Sequence, residues 1–476
     1  MPRPSGRPRD PALRLLGREI TALEEPDPPL KRLIKDEAAT GSPAAGRSTL
    51  SAAGRGPARV LHLLGPGLIT GASDDDPSGV ATYSQVGSQL GYGLLWTALF
   101  TFPLMAAVQE LCARTALQTG VGLGASLRRR FPTPIVAVAV AALCAANTIN
   151  LGADLGAVAS GASLITGNRV APGVLLVPVA CVIVGLQLFT AYSVIFRLFK
   201  YLTLALFAYL VTVLFVHPNA VAVLAATVVP HVELNGAFIA ALVAVLGTTI
   251  SPYLFFWQAS SEVDEMKAAG KHTAAERRNV TNAELRAARI DILIGMGFSQ
   301  LIMYCIIVAA AAALHAHGRT DITTAQQAAQ ALQPIAGSFA STIFAVGLIG
   351  TGMLAIPILS GSAAYAVKEV AGMHGSLAVK PRYRPTFYAL IVTATAVGLL
   401  VNLVGVNPIA MLFISAVING VLCAPLLLMI VLLGSDRRVM RNRRSGRVNL
   451  VLTWLATVVT GTAAMALLFS PLLPSN

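Results

Sequence analysis

Apolar residues along this chain neither alternate nor gather on one helical face. They run in near-continuous blocks of about twenty residues, the length a helix needs to cross a bilayer core. Blocks can be drawn at 60–88, 92–112, 134–165, 172–190, 193–216, 236–260, 286–314, 336–366, 386–403, 408–433 and 449–470. The pattern predicts an all-α polytopic membrane protein with about eleven spans. Gly, Asp or Pro interrupts the first, third and eighth blocks. A bilayer tolerates such breaks only where the freed backbone groups are buried in protein or line a cavity, so breaks are where function is sought.

Composition agrees with the pattern. Hydrophobic residues make up 55% of the 476 and charged residues 12%, about half the charged share of a soluble domain. The net charge of +13 has a topological reading. With the N-terminus inside, 22 Lys and Arg fall in loops on one side, against Arg169 and Arg319 on the other. This asymmetry predicts a cytoplasmic N-terminus in the plasma (inner) membrane. The polytopic apolar pattern argues against a nucleic-acid partner despite the basic charge, and membrane lipid is the expected contact of the basic surface. Residues 1–58 read as a disordered basic cytoplasmic tail without a signal-peptide core. Residues 59–434 read as the core of ten helices, and 435–476 as a basic cytoplasmic loop followed by helix eleven. Cys112, Cys144, Cys181, Cys305 and Cys423 stand singly, so no zinc knuckle or disulfide framework is expected.

The first block contains GPGLITGASDDDPSG, with Asp74, Asp75 and Asp76 directly before Pro77, Ser78 and Gly79. A carboxylate at mid-membrane costs about 2.5–3.5 kcal/mol on insertion scales. Pro77 lacks an N–H and Gly79 is conformationally permissive, so the helix is expected to unwind there and present carbonyls beside the carboxylates. Hard cations take that set of oxygens. The competing reading is a helix-end cap near the interface with wet, idle acids. The sixth block has a comparable interruption at Gly247, Thr248, Thr249, Ser251 and Pro252, for which a plain proline kink is the alternative. Interrupted segments five spans apart fit two five-helix halves, the second inverted, with a transport site between the breaks.

These residues resemble the Nramp family of divalent-metal transporters, whose first span carries the hallmark D-P-G-N. The resemblance runs from about residue 60 to 433. It implies the amino-acid-polyamine-cation (LeuT-like) fold of inverted five-helix repeats with broken helices one and six. By position, Asp76 resembles the metal-binding aspartate, and Gly79 stands in place of the family's asparagine. Where the family usually has M-P-H, this chain has Ser251, Pro252 and Tyr253, and Thr248 falls where the family offers a backbone carbonyl. Loss of the thioether favours a harder cation such as Mg²⁺ or Mn²⁺, closer to the Nramp-related magnesium transporters. Asp154 resembles the aspartate of the family's proton route, but Ala157 replaces the acid three residues on. Together with Tyr253 in the histidine's place, this predicts weak or absent proton coupling. A structural buried acid is the other reading of Asp154.

Among the remaining polar residues, Gln109 and Glu110 lie in the second span, and Glu110 is spaced to pair with Arg114. Asn147, Asn150 and Asn419 either line an ion path or tie helices together. The tenth span of the resembled family supplies a polar residue to the site, which raises the weight on Asn419. His315 and His317 form an H-x-H pair, read as a solvated loop rather than a metal clip. GVGLGASLRRR lacks the preceding strand of a phosphate cradle. The mixed-charge stretch from Glu262 to Arg289 predicts a short amphipathic helix.

The expectation is therefore a carrier of divalent cations working by alternating access, with Asp76, Gly79, Thr248 and Ser251 at the ion. Asp74, Asp75, Asp154, Tyr253 and Asn419 would lie along its path. The alternative is an organic-solute carrier, amino-acid-like in substrate, on the same fold. A sensor that does not transport is a third class. No nucleophile elbow or nucleotide loop suggests an enzyme, and no cofactor is expected, the cation being substrate.

Overall fold

The computed structural model describes residues 66–189, 207–216, 218–278, 280–333, 337–373, 375–377, 379, 381–402, 407–441 and 444–470. The basic tail at 1–58, most of the fifth block and Arg197, Lys200, Lys380 and Arg443 lie outside the described residues.

The first block forms two helices, α1 (Pro66–Asp74) and α2 (Pro77–Leu90). Then come α3 (Trp96–Thr119), the short α4 (Leu123–Arg130), α5 (Thr133–Ile165) and α6 (Pro172–Phe189). Of the fifth block, α7 (Phe207–Val216) is described, followed by α8 (Ala220–Val228). The sixth block forms α9 (Gly236–Thr249) and α10 (Pro252–Ala268). The chain continues through α11 (Asn282–Ala313), α12 (Ala340–Ala371), α13 (Pro385–Val401), α14 (Pro408–Ser435) and α15 (Arg447–Phe469). Eight segments among the described residues are long and apolar enough to cross a membrane, α9 and α10 counting as one. The split pair α1–α2, the 17-residue α13 and the partly described α7 occupy the places of spans one, nine and five.

Helix starts follow local chemistry. Proline, whose missing N–H is unneeded in the first turn, opens α2, α10, α13 and α14. Asn235 caps α9 by accepting from the Phe238 N–H at 2.7 Å, and a Thr281–Glu284 capping box starts α11. Close helix packing rests on glycine. A Cβ on Gly71 would lie 2.1 Å from the Gly295 carbonyl oxygen of α11, and one on Gly247 2.4 Å from the Gly420 nitrogen of α14. Backbones that near each other permit the dense packing that holds helices together where lipid supplies no hydrophobic drive.

Two expectations need correction. The third and eighth blocks are not interrupted, because α5 and α12 run unbroken for 33 and 32 residues. Their glycines mark close approaches instead: Gly152 faces the Gly398 backbone, and Gly352 faces Val158 and Pro77. The stretch between the fifth and sixth blocks contains α8, whose Asn219 cap receives the Val221 and Ala222 N–H groups. The 262–289 stretch, expected as a short amphipathic helix, is divided among the end of α10, one helical turn at Ala274–Arg277 and the start of α11.

Candidate cation site at the paired helix breaks

Asp76 closes the first break. Its backbone is extended and it is the N-cap of α2. One carboxylate oxygen, Oδ1, accepts from the Ser78 hydroxyl at 2.6 Å and the Gly79 N–H at 2.8 Å. The other, Oδ2, accepts from Asn150 Nδ2 of α5 at 3.1 Å and the Tyr253 hydroxyl of α10 at 3.3 Å. Asp76 is 2% exposed. A buried carboxylate without an adjacent cation is held by dipoles: four donors and the positive end of α2. Gly79 takes part through its N–H from within the first turn of α2, so the unwound residues precede Pro77.

The second break spans Ile250 and Ser251. The Ser251 hydroxyl lies 2.6 Å from the Thr248 carbonyl and 3.0 Å from that of Gly247. The Cys423 thiol of α14 donates to the Ile250 carbonyl at 3.0 Å. Carbonyls that a broken helix leaves over thus have reversible hydroxyl and thiol partners. The Thr248 hydroxyl donates to the Tyr83 hydroxyl of α2 at 3.2 Å. Tyr253 bonds to both the Ser73 carbonyl and Asp76. Tyr83 and Tyr253 therefore stitch the two breaks together.

The aspartate triplet divides. Asp74 and Asp75 face α11, where the Ser299 hydroxyl is 2.7 Å from Asp74 Oδ2 and 3.4 Å from Asp75 Oδ1. Both acids are fully buried, and Asp74 Oδ1 and Asp75 Oδ2 have no hydrogen-bond partner. Asp154 lies one turn beyond Asn150 on the same face of α5, fully buried with both oxygens unpartnered. Asn419 of α14 is 2% exposed, and its Oδ1 is likewise unpartnered. Gly420 beside it abuts α9 at Gly247 and Val243.

Sequence reading left Asn150 undecided and missed its partner Ser415, whose hydroxyl donates to Asn150 Oδ1 at 2.9 Å. The four-residue spacings Asn150–Asp154 and Ser415–Asn419 were the available signal, each placing two polar groups on one helical face. Ser299 had none. Glu110 does pair with Arg114 at 2.8 Å, and with Arg289 at 3.3 Å. His315 turns away from a metal-clip role, its Nδ1 lying 2.8 Å from the Ser88 carbonyl at the end of α2.

An all-helical membrane bundle with a buried acid where two discontinuous helices meet has the architecture of a secondary transporter. The family model for natural resistance-associated macrophage protein-like (Nramp) proteins matches residues 67–470, and the chain belongs to this family. It is 30% identical over 310 residues to the divalent metal cation transporter MntH of Pectobacterium carotovorum, spanning 62% of this chain and 68% of that protein. Its counterpart in Yersinia enterocolitica is 30% identical over 311 residues, spanning 62% and 69%. In three dimensions the chain is similar to a manganese transporter of Eremococcus coleocola, crystallised with an aromatic bis-isothiourea compound. The TM-score is 0.67 at 15% identity, covering 89% of this chain and 90% of that one. The fold expected from the paired breaks is the fold of this chain.

Proposed function

We propose that this protein carries a hard divalent cation, Mg²⁺ or Mn²⁺, by alternating access, with Asp76 as the charged ligand and little or no proton coupling. One observation carries the reading: the Asp76 carboxylate sits among the oxygen and nitrogen groups of Ser78, Gly79, Asn150 and Tyr253, and Ser251 stands where a thioether would favour softer metals. Metal transport by the related MntH proteins supports a divalent cargo. Thr248 and Gly247 would turn carbonyls to the ion once the Ser251 hydroxyl rotates away, and Ser251 would contact it directly or through water. Mg²⁺ keeps several waters and accepts few protein ligands, which suits a site with one acid and small neighbours. Gly79 would contribute space and its cap rather than a side chain. The absence of an acid at Ala157 and of a histidine at Tyr253 supports weak coupling, leaving Asp154 as a path residue. In this reading the arginine-rich ends of α4 and α15 face the cytoplasm of a plasma (inner) membrane protein.

The test is uptake of Mg²⁺ and Mn²⁺ into proteoliposomes containing a pH dye. Uptake that Asp76→Ala abolishes, without acidification of the lumen, is expected. Selective Fe²⁺ transport with no Mg²⁺ or Mn²⁺ uptake, or stoichiometric proton entry, would overturn the reading.

A further inference from the structure

Gly79 leaves the site without a side-chain amide on α2, yet an amide stands against Asp76 from a different helix. Asn150 reaches Asp76 Oδ2 with its Nδ2 at 3.1 Å, while its Oδ1 accepts from Ser415 of α14 at 2.9 Å. We infer that Asn150 is a ligand-supplying and specificity-determining residue for the transported cation, its amide turning over as the ion arrives so that Oδ1 faces the metal. The inference rests on the cation reading of the Asp76 site.

The argument is an accounting of donors. Without a cation, a buried carboxylate needs N–H and O–H groups, and the amide presents its NH₂. With a divalent ion on Asp76 Oδ2, that NH₂ would point its positive end at a cation. Rotation by half a turn about the Cβ–Cγ bond, a broad torsion, exchanges the nearly isosteric NH₂ and carbonyl oxygen. Nδ2 then needs an acceptor on the far side, and Ser415 provides it. The Ser415 hydroxyl is also 2.7 Å from the Leu412 carbonyl, so its proton can settle there while its lone pairs take the amide N–H. The turned state gives Nδ2 an acceptor in the Ser415 hydroxyl and adds one neutral oxygen toward the ion, a donor type suited to Mg²⁺ and Mn²⁺.

The other donor to Oδ2 behaves in the same way. Tyr253 can give its proton wholly to the Ser73 carbonyl, 2.9 Å away. Oδ1, by contrast, is committed to Ser78 and to the N-terminus of α2. The two oxygens of Asp76 thus differ: Oδ1 holds the helix, and Oδ2 is the one whose partners can both withdraw. Asn150 is fully buried at this second oxygen.

The experiment measures equilibrium binding of Mn²⁺ and Cd²⁺ to the purified full-length protein for the parent, Asp76→Ala, Asn150→Leu, Asn150→Met and Ser415→Ala, with a melting curve for each. Asn150→Leu is expected to weaken Mn²⁺ binding at least about tenfold, and Ser415→Ala by a smaller factor, within the range found for residues that support metal ligands. Asn150→Met places a thioether at the ion and is expected to raise the Cd²⁺ to Mn²⁺ affinity ratio over the parent. A residue that only ties α5 to α14 would lower the melting temperature and leave that ratio unchanged, which would overturn the inference. If Asp76→Ala abolishes binding while both Asn150 variants bind like the parent, the Asn150 assignment falls alone. If the parent shows no saturable binding of either metal, the cation reading falls with it. Should Asn150→Leu fail to fold, the Asn150→Met ratio decides.

Discussion

The Tyr253 hydroxyl reaches Asp76 across the two helix breaks with one proton for two acceptors: it lies 3.3 Å from the Asp76 carboxylate and 2.9 Å from the Ser73 carbonyl. A hydroxyl has a single hydrogen to give, so strengthening one bond weakens the other. The same atom therefore joins α10 to the end of α1 and bears on the charge expected to hold the ion.

Replacing Tyr253 with Phe removes a donor from Asp76 and the bond to Ser73 together. The expected outcome is continued cation binding with slowed uptake, since the ion itself replaces the lost donor at Oδ2 but the two breaks are no longer joined. Initial uptake rates and equilibrium binding, measured on one preparation, separate these effects.

Among the described residues, Ser299 is the one side chain that donates a hydrogen bond to the Asp74 and Asp75 carboxyl groups, both fully buried. Ser299→Ala should destabilise the protein by about 1–3 kcal/mol, the usual cost of a buried polar group left without its partner. The readout is the midpoint of thermal unfolding in detergent. A variant that melts like the parent would mean that water reaches the pair.

The α1–α11 contact predicts a steric effect. Gly71→Ala would place a methyl 2.1 Å from the Gly295 carbonyl oxygen, and Gly295→Ala one 2.2 Å from that of Gly67. Neither backbone can yield locally. Either change should separate α1 from α11 and weaken the Asp291 contacts to the Gly67 and Leu68 N–H groups, at 2.8 and 3.3 Å. Cysteine accessibility at introduced sites on α1 should rise, with transport reduced.

Glu369 of α12 fastens three elements, accepting from the Gly124 N–H at the start of α4 and the Ser260 hydroxyl of α10, each at 2.8 Å. Glu369→Ala leaves the Gly124 N–H unpaired in a buried place and should cost about 1–3 kcal/mol. Faster hydrogen exchange in α4, with α6 unchanged, is the expected local signature. Gly124 exchange equal to the parent would show that α4 is held by other contacts.

The sequence alone determined the membrane spans, because each helix must satisfy its backbone within one apolar run and the bilayer sets its length. It also pointed to the two mid-span breaks, where Asp76-Pro77 and Ser251-Pro252 unite a polar residue with a proline that lacks the N–H of a continuing helix, although proline alone does not break one, since Pro357 lies inside the unbroken α12. Hydropathy could not separate these from the third and eighth blocks, where glycine serves close packing at Gly152 and Gly352 and the helix continues. That distinction depends on what lies across the interface. Tertiary structure alone decided that the aspartates divide, two toward Ser299 and one toward Asn150 and Tyr253. Neighbouring residues at a helix break point in different directions, and which helix fills each direction is a property of packing. Ser415, 265 residues from Asn150, reaches it because α14 crosses α5 beside the break, a meeting no local pattern encodes.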